Sequence, residues 1–123
     1  MKTRIFLTAL VAVFLTAFVA LPEWIAPEKA AAKKNPYTGK GIEEGAKLYA
    51  KNCASCHMAN GTGMDAITKV DFTSKTFQAQ TDGSIFYKVS EGRAKTSMAA
   101  YGDAFPEKSL WYMVNYIRTL KTK

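Results

Sequence analysis

Cys53-Ala54-Ser55-Cys56-His57 is the most informative stretch of this chain, because it contains both cysteines and the only histidine among 123 residues. Two cysteines separated by two residues and followed at once by histidine form the attachment motif of a c-type haem. The two thiols add across the haem vinyl groups, and the adjacent imidazole binds the iron. The sequence therefore predicts one covalently bound haem c per chain, attached through Cys53 and Cys56, with His57 as an axial iron ligand.

Other uses of a C-x-x-C pair fit this chain less well. A structural zinc site needs four Cys or His ligands, and the chain has only two cysteines and one histidine. A thioredoxin-type pair belongs to a βαβ pattern, and the sequence shows none. A disulfide between Cys53 and Cys56 would be strained and would leave His57 without a role.

Residues 1–32 have the pattern of an export signal. Lys2 and Arg4 precede the apolar run Ile5–Leu21, which contains no charged residue. Ala30-Ala31-Ala32 fits the small-residue rule for cleavage and predicts a mature chain that begins after residue 32.

A retained membrane anchor is the alternative for the same segment. The interval between Leu21 and Ala32 is long for the end of a signal peptide, and Trp24 suits a membrane interface beyond an anchor helix formed by residues 5–21. Both interpretations predict an exported domain, either periplasmic or held on the outer face of the cytoplasmic membrane. Residues 33–41 are predicted to be a linker, and residues 42–123 the folded domain.

The net positive charge of the chain indicates which kinds of partner are expected. The chain carries a formal net charge of +7, and the excess of positive charge remains when residues 1–32 are left out. Such a balance favours redox partners with acidic docking surfaces, or serves solubility alone. Nucleic-acid binding is not expected, because the lysines are scattered and the chain has an export pattern.

Apolar periodicity predicts three helices and no extended sheet, so the fold class is all-α. The first helix is predicted over 42–53, the second from Thr81 or Asp82 to Gly92, and the third from Pro106. Between 58 and 80 the periodicity is weak. Phe72 and Phe77 are the buried side chains expected there, in contact with haem or with the ordinary core.

From residue 41 to residue 121 these features resemble class I c-type cytochromes, the family of small single-haem cytochromes c. Gly45 and Tyr49 form the family's Gly-x-x-x-aromatic pattern ahead of the C-x-x-C-H segment. Thr96-Ser97-Met98 is similar to the methionine loop of the family, and residues 111–120 are similar to its last helix.

The resemblance implies the cytochrome c fold, with three main helices around one haem and the first and last helices crossing. In this arrangement Gly45 and Tyr49 would pack against Met113 and Tyr116. The close crossing would account for a glycine inside a helix, which otherwise costs about 1 kcal/mol relative to alanine.

The resemblance also implies one histidine and one methionine as iron ligands. His57 matches the histidine. Of the four methionines beyond the motif, Met98 matches the ligand position of the family. Met58 follows the histidine too closely to reach the opposite face of the haem, and Met113 lies on the apolar stripe of the last helix. Met64, or an open position, is the alternative.

The chain departs from the family pattern in two places. Ala99 follows the expected ligand methionine, where relatives often have proline, and residues 58–71 contain no proline. Relatives often have a Gly-Pro pair there, near the carbonyl that accepts the second N–H of the ligand histidine. The acceptor for His57 is therefore not identified from the sequence.

Histidine and methionine ligation would fill every position on the iron and predicts an electron carrier, not an enzyme, between respiratory redox partners. An open sixth position would instead suit a gas-binding protein or a small haem enzyme. A third interpretation is a membrane-tethered subunit of a larger redox complex, which differs in context and not in haem chemistry.

Overall fold

A computed structural model of the protein describes residues 22–122. Within this range all regular structure is helical and there is no strand, which confirms the all-α prediction. Three longer helices carry the fold; of three single-turn helices, one precedes them and two lie between the first and the second. The elements in chain order are α1 (Glu28–Ala31), α2 (Ile42–Asn52), α3 (Ala54–His57), α4 (Lys75–Gln78), α5 (Asp82–Glu91) and α6 (Glu107–Thr119).

The ends of the three long helices follow from local chemistry. The hydroxyl of Thr81 accepts a hydrogen bond from the backbone N–H of Ser84 (3.1 Å) and so caps α5. Pro106 is the N-cap residue of α6, and Glu107 in the first turn is favourable to the helix dipole. The predicted helix bounds are therefore confirmed to within a residue or two.

Contact between α2 and α6 is the main tertiary contact of the fold. A Cβ built on Gly45 would overlap the backbone carbonyl of Tyr112 and would lie 3.1 Å from Cβ of Tyr116. One turn later the ring of Tyr49 packs against the ring of Tyr116, with centroids 5.1 Å apart. The predicted contact between the first and last helices is thus present, and the backbone nearest to Gly45 is that of Tyr112.

The core lies on the inner face of α6. The largest side chains that are almost completely buried belong to Tyr49 of α2 and to four residues of α6: Trp111, Met113, Val114 and Ile117. Phe86 of α5 stacks on Trp111 with ring centroids 4.0 Å apart. This aromatic contact joins α5 to α6, so that all three long helices share one core.

Residues 22–41 pack against these helices. Asn115, a buried polar residue of α6, donates hydrogen bonds to the carbonyls of Tyr37 (2.6 Å) and Lys40 (2.8 Å). Its side-chain oxygen accepts a hydrogen bond from Asn35 (2.7 Å). The predicted linker is therefore held by hydrogen bonds to α6, and the domain boundaries at 32 and 41 stay predictions.

Within residues 22–122 no helix has the length and apolar character needed to cross a bilayer. The apolar run 5–21 lies outside the described residues.

The segment between α3 and α5 contains one element that periodicity did not predict. The single turn α4 begins after Ser74, whose hydroxyl accepts a hydrogen bond from the backbone N–H of Phe77 (3.1 Å). A one-turn helix has too few residues to show a period, so apolar periodicity could not reveal it.

Candidate functional site

A cavity of about 980 Å³ lies between α3, α5 and the loops that follow them. Its lining includes all four predicted site residues, Cys53, Cys56, His57 and Met98. Side chains separated by more than forty positions in the chain are therefore brought to one site.

The C-x-x-C-H segment is positioned by the end of α2 and the turn α3. The backbone N–H of Cys53 donates to the carbonyl of Tyr49 (2.8 Å), and that of His57 donates to the carbonyl of Cys53 (2.9 Å). Residues three and four positions apart lie on one face of such a turn. The two thiols and the imidazole therefore face the same cavity.

His57 is held by an aromatic neighbour. Its ring stacks on the ring of Phe72, with centroids 4.5 Å apart and an angle of 21° between the planes. Burial lowers the pKa of His57, because a charged imidazolium is disfavoured away from water. A neutral imidazole keeps the lone pair that a metal needs.

The ring nitrogen Nδ1 of His57 is buried and has no hydrogen-bond partner within the described residues. None of these residues therefore accepts the second N–H of this imidazole, for which the sequence also identified no acceptor.

No disulfide joins Cys53 and Cys56, so both sulfur atoms are available for the attachment of haem. Burial, with a smaller contribution from the neighbouring Cys56, raises the pKa of the Cys53 thiol to about 11. Before haem is attached, Cys53 is therefore protonated at neutral pH.

Met98 is carried by residues 93–98, here called the methionine loop. The carbonyl of Met98 accepts a hydrogen bond from the backbone N–H of Arg93 (3.0 Å), which closes the loop on itself. Thr96 stabilises it further, since its hydroxyl donates to the carbonyl of Arg93 (2.7 Å) and accepts from the backbone N–H of Met98 (3.2 Å).

Gly92 connects this loop to α5. Its φ of +62° is in the left-handed region, and a Cβ there would lie 2.6 Å from backbone atoms of Ala99 and Ala100. Just beyond, the backbone N–H groups of Tyr101 and Gly102 donate to carbonyls of α5 (3.1 and 2.9 Å). The return of the chain from Met98 is thus fixed against the end of α5.

The other methionines occupy different surroundings. Met58 and Met64 are exposed at 40% and 37%, and Met113 is completely buried in the core. Among the described methionines, Met98 alone belongs to the cavity lining.

Most of the surface that lines the cavity is apolar, although polar and apolar residues contribute to it in similar numbers. Phe72 and Phe77, which the sequence left between core and site, are buried and also line the cavity. The sequence did not predict the wall formed by residues 23–26. Nothing in the composition of that segment links it to this site.

Tyr101 contributes a polar group to the same lining. Its hydroxyl donates to the carbonyl of Asn52 (3.0 Å), and burial raises its pKa. The contact joins the chain after the methionine loop to the end of α2, beside the cysteines.

These features fit a covalently attached haem. The two thiols of Cys53 and Cys56 and the neutral imidazole of His57 lie on one turn and face the cavity, and the thioether of Met98 lines it as well. The volume of the cavity is at the upper end of the usual range for ligand sites. The apolar lining suits the macrocycle. The set of donors is the one by which c-type cytochromes attach and coordinate haem.

Comparison with known proteins identifies the family. The family described as cytochrome c oxidase, cbb3-type, subunit III matches residues 40–117. The chain therefore belongs to this family of c-type cytochrome domains and is a single-domain c-type cytochrome with one covalently bound haem c.

Individual relatives agree with this assignment. Cytochrome c6 of a Synechococcus species is 27% identical over 124 residues, which cover 100% of this chain and 96% of that protein. The KustC0563 c-type cytochrome has a similar structure, with a TM-score of 0.59 and 23% identity over 63% of this chain and 98% of its own. Cytochrome cL from Hyphomicrobium denitrificans gives a TM-score of 0.58 and 18% identity over 78% of this chain and 64% of its own.

A component of a larger assembly has the same fold. A chain of the reducing HAO-like protein complex Kustc0457/Kustc0458 of Kuenenia stuttgartiensis gives a TM-score of 0.62 and 21% identity, over 75% of this chain and 49% of its own. At these identities the structures demonstrate the cytochrome c fold, and the chemistry follows from the residues of this chain.

Proposed function

We propose that this protein is an electron carrier between respiratory redox partners, with His57 and Met98 as the two axial ligands of its haem iron. The observation that carries the proposal is the shared lining of one cavity by Cys53, Cys56, His57 and Met98. A haem bound there supplies one-electron chemistry through the ferric and ferrous states of its iron.

Each of these residues has a distinct role. Cys53 and Cys56 fix the group covalently, so that its position does not change with oxidation state. The stacked His57 and the hydrogen-bonded methionine loop present their donor atoms from fixed backbone positions. Ligation by both His57 and Met98 would leave no iron position for a substrate, and the thioether of Met98 would favour the reduced state.

Optical spectroscopy of the oxidised protein tests the ligand set. We expect a weak sulfur-to-iron charge-transfer band in the wild type and its loss in Met98→Ala. Met64→Ala is the matched control, because Met64 is outside the cavity lining, and it should keep the band. A band that survives in Met98→Ala and disappears in Met64→Ala would reassign the ligand.

The charge of the whole chain supports partners with acidic docking surfaces. The cavity lining itself is nearly balanced, with the cations Lys69, Lys88 and Arg93 against the acids Glu23 and Asp71, and the two propionates of a bound haem would add negative charge. The net charge of +7 would attract a negatively charged partner and speed its encounter.

Electron exchange with a small anionic metal complex tests this electrostatic proposal. Its rate should fall as salt is added, because exposed charges are screened. Lys69→Glu should slow the exchange more than the control Lys121→Glu, which changes the same charge away from the cavity. Equal effects of the two substitutions would contradict docking at the cavity.

We further propose that the protein is exported and works outside the cytoplasm, as the run 5–21 predicts. A tethered form is the second candidate, favoured by the match to an oxidase-subunit family and by the same apolar run. Membrane fractionation distinguishes them: a carrier released in soluble form by gentle disruption is a shuttle, and one that needs detergent is tethered.

A further inference from the structure

Residues 22–34, here called the strap, lie across α5 and reach the haem cavity. Within the strap, residues 23–26 line the cavity, and Ala26 is only 7% exposed. The sequence predicted that cleavage after residue 32 would remove most of this segment, or that it would connect the domain to an anchor. Its contacts distinguish these outcomes.

The indole of Trp24 lies close to two cations that line the same cavity. Nζ of Lys88 lies 5.5 Å from the ring centroid, and the guanidinium carbon of Arg93 lies 5.6 Å from it. The guanidinium of Arg93 also donates a hydrogen bond to the carbonyl of Pro22. Arg93 thus binds the strap with its side chain and closes the methionine loop with its backbone.

The other end of the strap is fixed at the start of α5. The hydroxyl of Thr81 donates to the carbonyl of Ala31 (2.7 Å). Nζ of Lys33 lies 2.9 Å from the carboxylate of Glu107 and 4.4 Å from the centroid of the Phe86 ring.

Gly83 shows how closely the two segments approach. A Cβ at this position would lie 2.7 Å from the carbonyl oxygen of Lys33 and 2.8 Å from that of Ala31. Gly83 is inside α5 and has an ordinary helical backbone, so local conformation does not require glycine there. The absent side chain is explained by the strap.

From these contacts we propose that the strap remains in the mature protein as a permanent wall of the haem cavity, anchored by Trp24. Processing, if it occurs, then falls before Pro22. Pro22 contacts Arg93 of the methionine loop, so a membrane anchor formed by residues 5–21 would hold this side of the haem site at the membrane.

Intact mass of the purified holoprotein is the first test. The proposal expects a mature chain that includes residues 22–32, whether or not residues 1–21 are present. A mature chain that begins at Lys33 overturns it.

Limited digestion with trypsin tests the role of Trp24. The strap contains the cleavable residues Lys29, Lys33 and Lys34, which should be protected in the holoprotein. Trp24→Ala should speed cleavage there about tenfold by releasing the indole from its two cations. Trp24→Phe is the matched control, because it keeps an aromatic face for Lys88 and Arg93, and its cleavage rate should stay close to that of the wild type. Equal rates in wild type and Trp24→Ala contradict the anchor.

Gly83→Ala tests the packing of the strap on α5 in the full protein. Alanine favours a helix over glycine, so on an open helix face the substitution would raise the thermal midpoint. Here it should lower the midpoint, because the new methyl group would overlap the strap carbonyls of Ala31 and Lys33. An unchanged or raised midpoint would contradict packing of the strap on α5.

Discussion

Gly45→Ala is the substitution that best tests how α2 and α6 form the frame of the haem site. The new methyl group would overlap the backbone carbonyl of Tyr112. A backbone carbonyl in the middle of α6 cannot rotate away as a side chain can. The helices must therefore separate, and the motif at the end of α2 must move with them.

Two opposing contributions determine how much Gly45→Ala changes the free energy of unfolding. Alanine gains about 1 kcal/mol over glycine in a helix interior. Overpacking of a close contact costs about 1–3 kcal/mol, and a fixed backbone obstacle places Gly45 at the upper end. The net destabilisation is about 2 kcal/mol, which lowers the thermal midpoint of a domain of this size by about 10 °C.

The assay is thermal and denaturant unfolding of the holoprotein, followed by circular dichroism and haem absorption. Ala50→Gly is the matched control, because Ala50 is an exposed residue of the same helix. It measures the helix-propensity term alone and should cost about 1 kcal/mol. The reasoning is refuted if Gly45→Ala leaves the stability unchanged or raises it.

Three further predictions concern the site. Gly92→Ala should destabilise the methionine loop by at least about 1–2 kcal/mol, because φ at this position is +62°, and it should weaken the charge-transfer band. A variant with the band and the stability of the wild type would contradict this. Tyr49→Phe removes the hydrogen bond that the hydroxyl donates to the carbonyl of Met58 (2.7 Å). Denaturant unfolding should show a free energy of unfolding that is lower by about 1 kcal/mol, with an unchanged haem spectrum. An unchanged free energy of unfolding would show that this bond adds no stability. The double variant Cys53→Ala and Cys56→Ala should lack haem and be largely unfolded by circular dichroism, because a small core needs the apolar volume of the haem; an ordered variant would contradict that.

The sequence predicted the parts of the fold that depend on local pattern. The motif Cys53–His57 predicted the haem, and apolar periodicity predicted α2, α5 and α6 to within a residue or two, because these signals are contained in a few helical turns. Gly45 stood out as costly in a helix, and the contact with Tyr112 explains it.

Contacts between segments that are distant in the chain could not be predicted from local periodicity. Met98 was selected by resemblance, whereas its position depends on Gly92 and on hydrogen bonds within the loop, which no periodicity reveals. The packing of Trp24 between Lys88 and Arg93 joins residues more than sixty positions apart. In the sequence, Trp24 followed an apolar run, and this suggested a membrane interface.

Exposure of the reduced holoprotein to carbon monoxide tests the central claim most directly. If His57 and Met98 occupy both axial positions, the reduced spectrum should stay unchanged under carbon monoxide in the wild type and should change to that of a carbon monoxide adduct in Met98→Ala. A wild-type protein that binds carbon monoxide at full stoichiometry would have an open iron position, and this would contradict the account of an electron carrier.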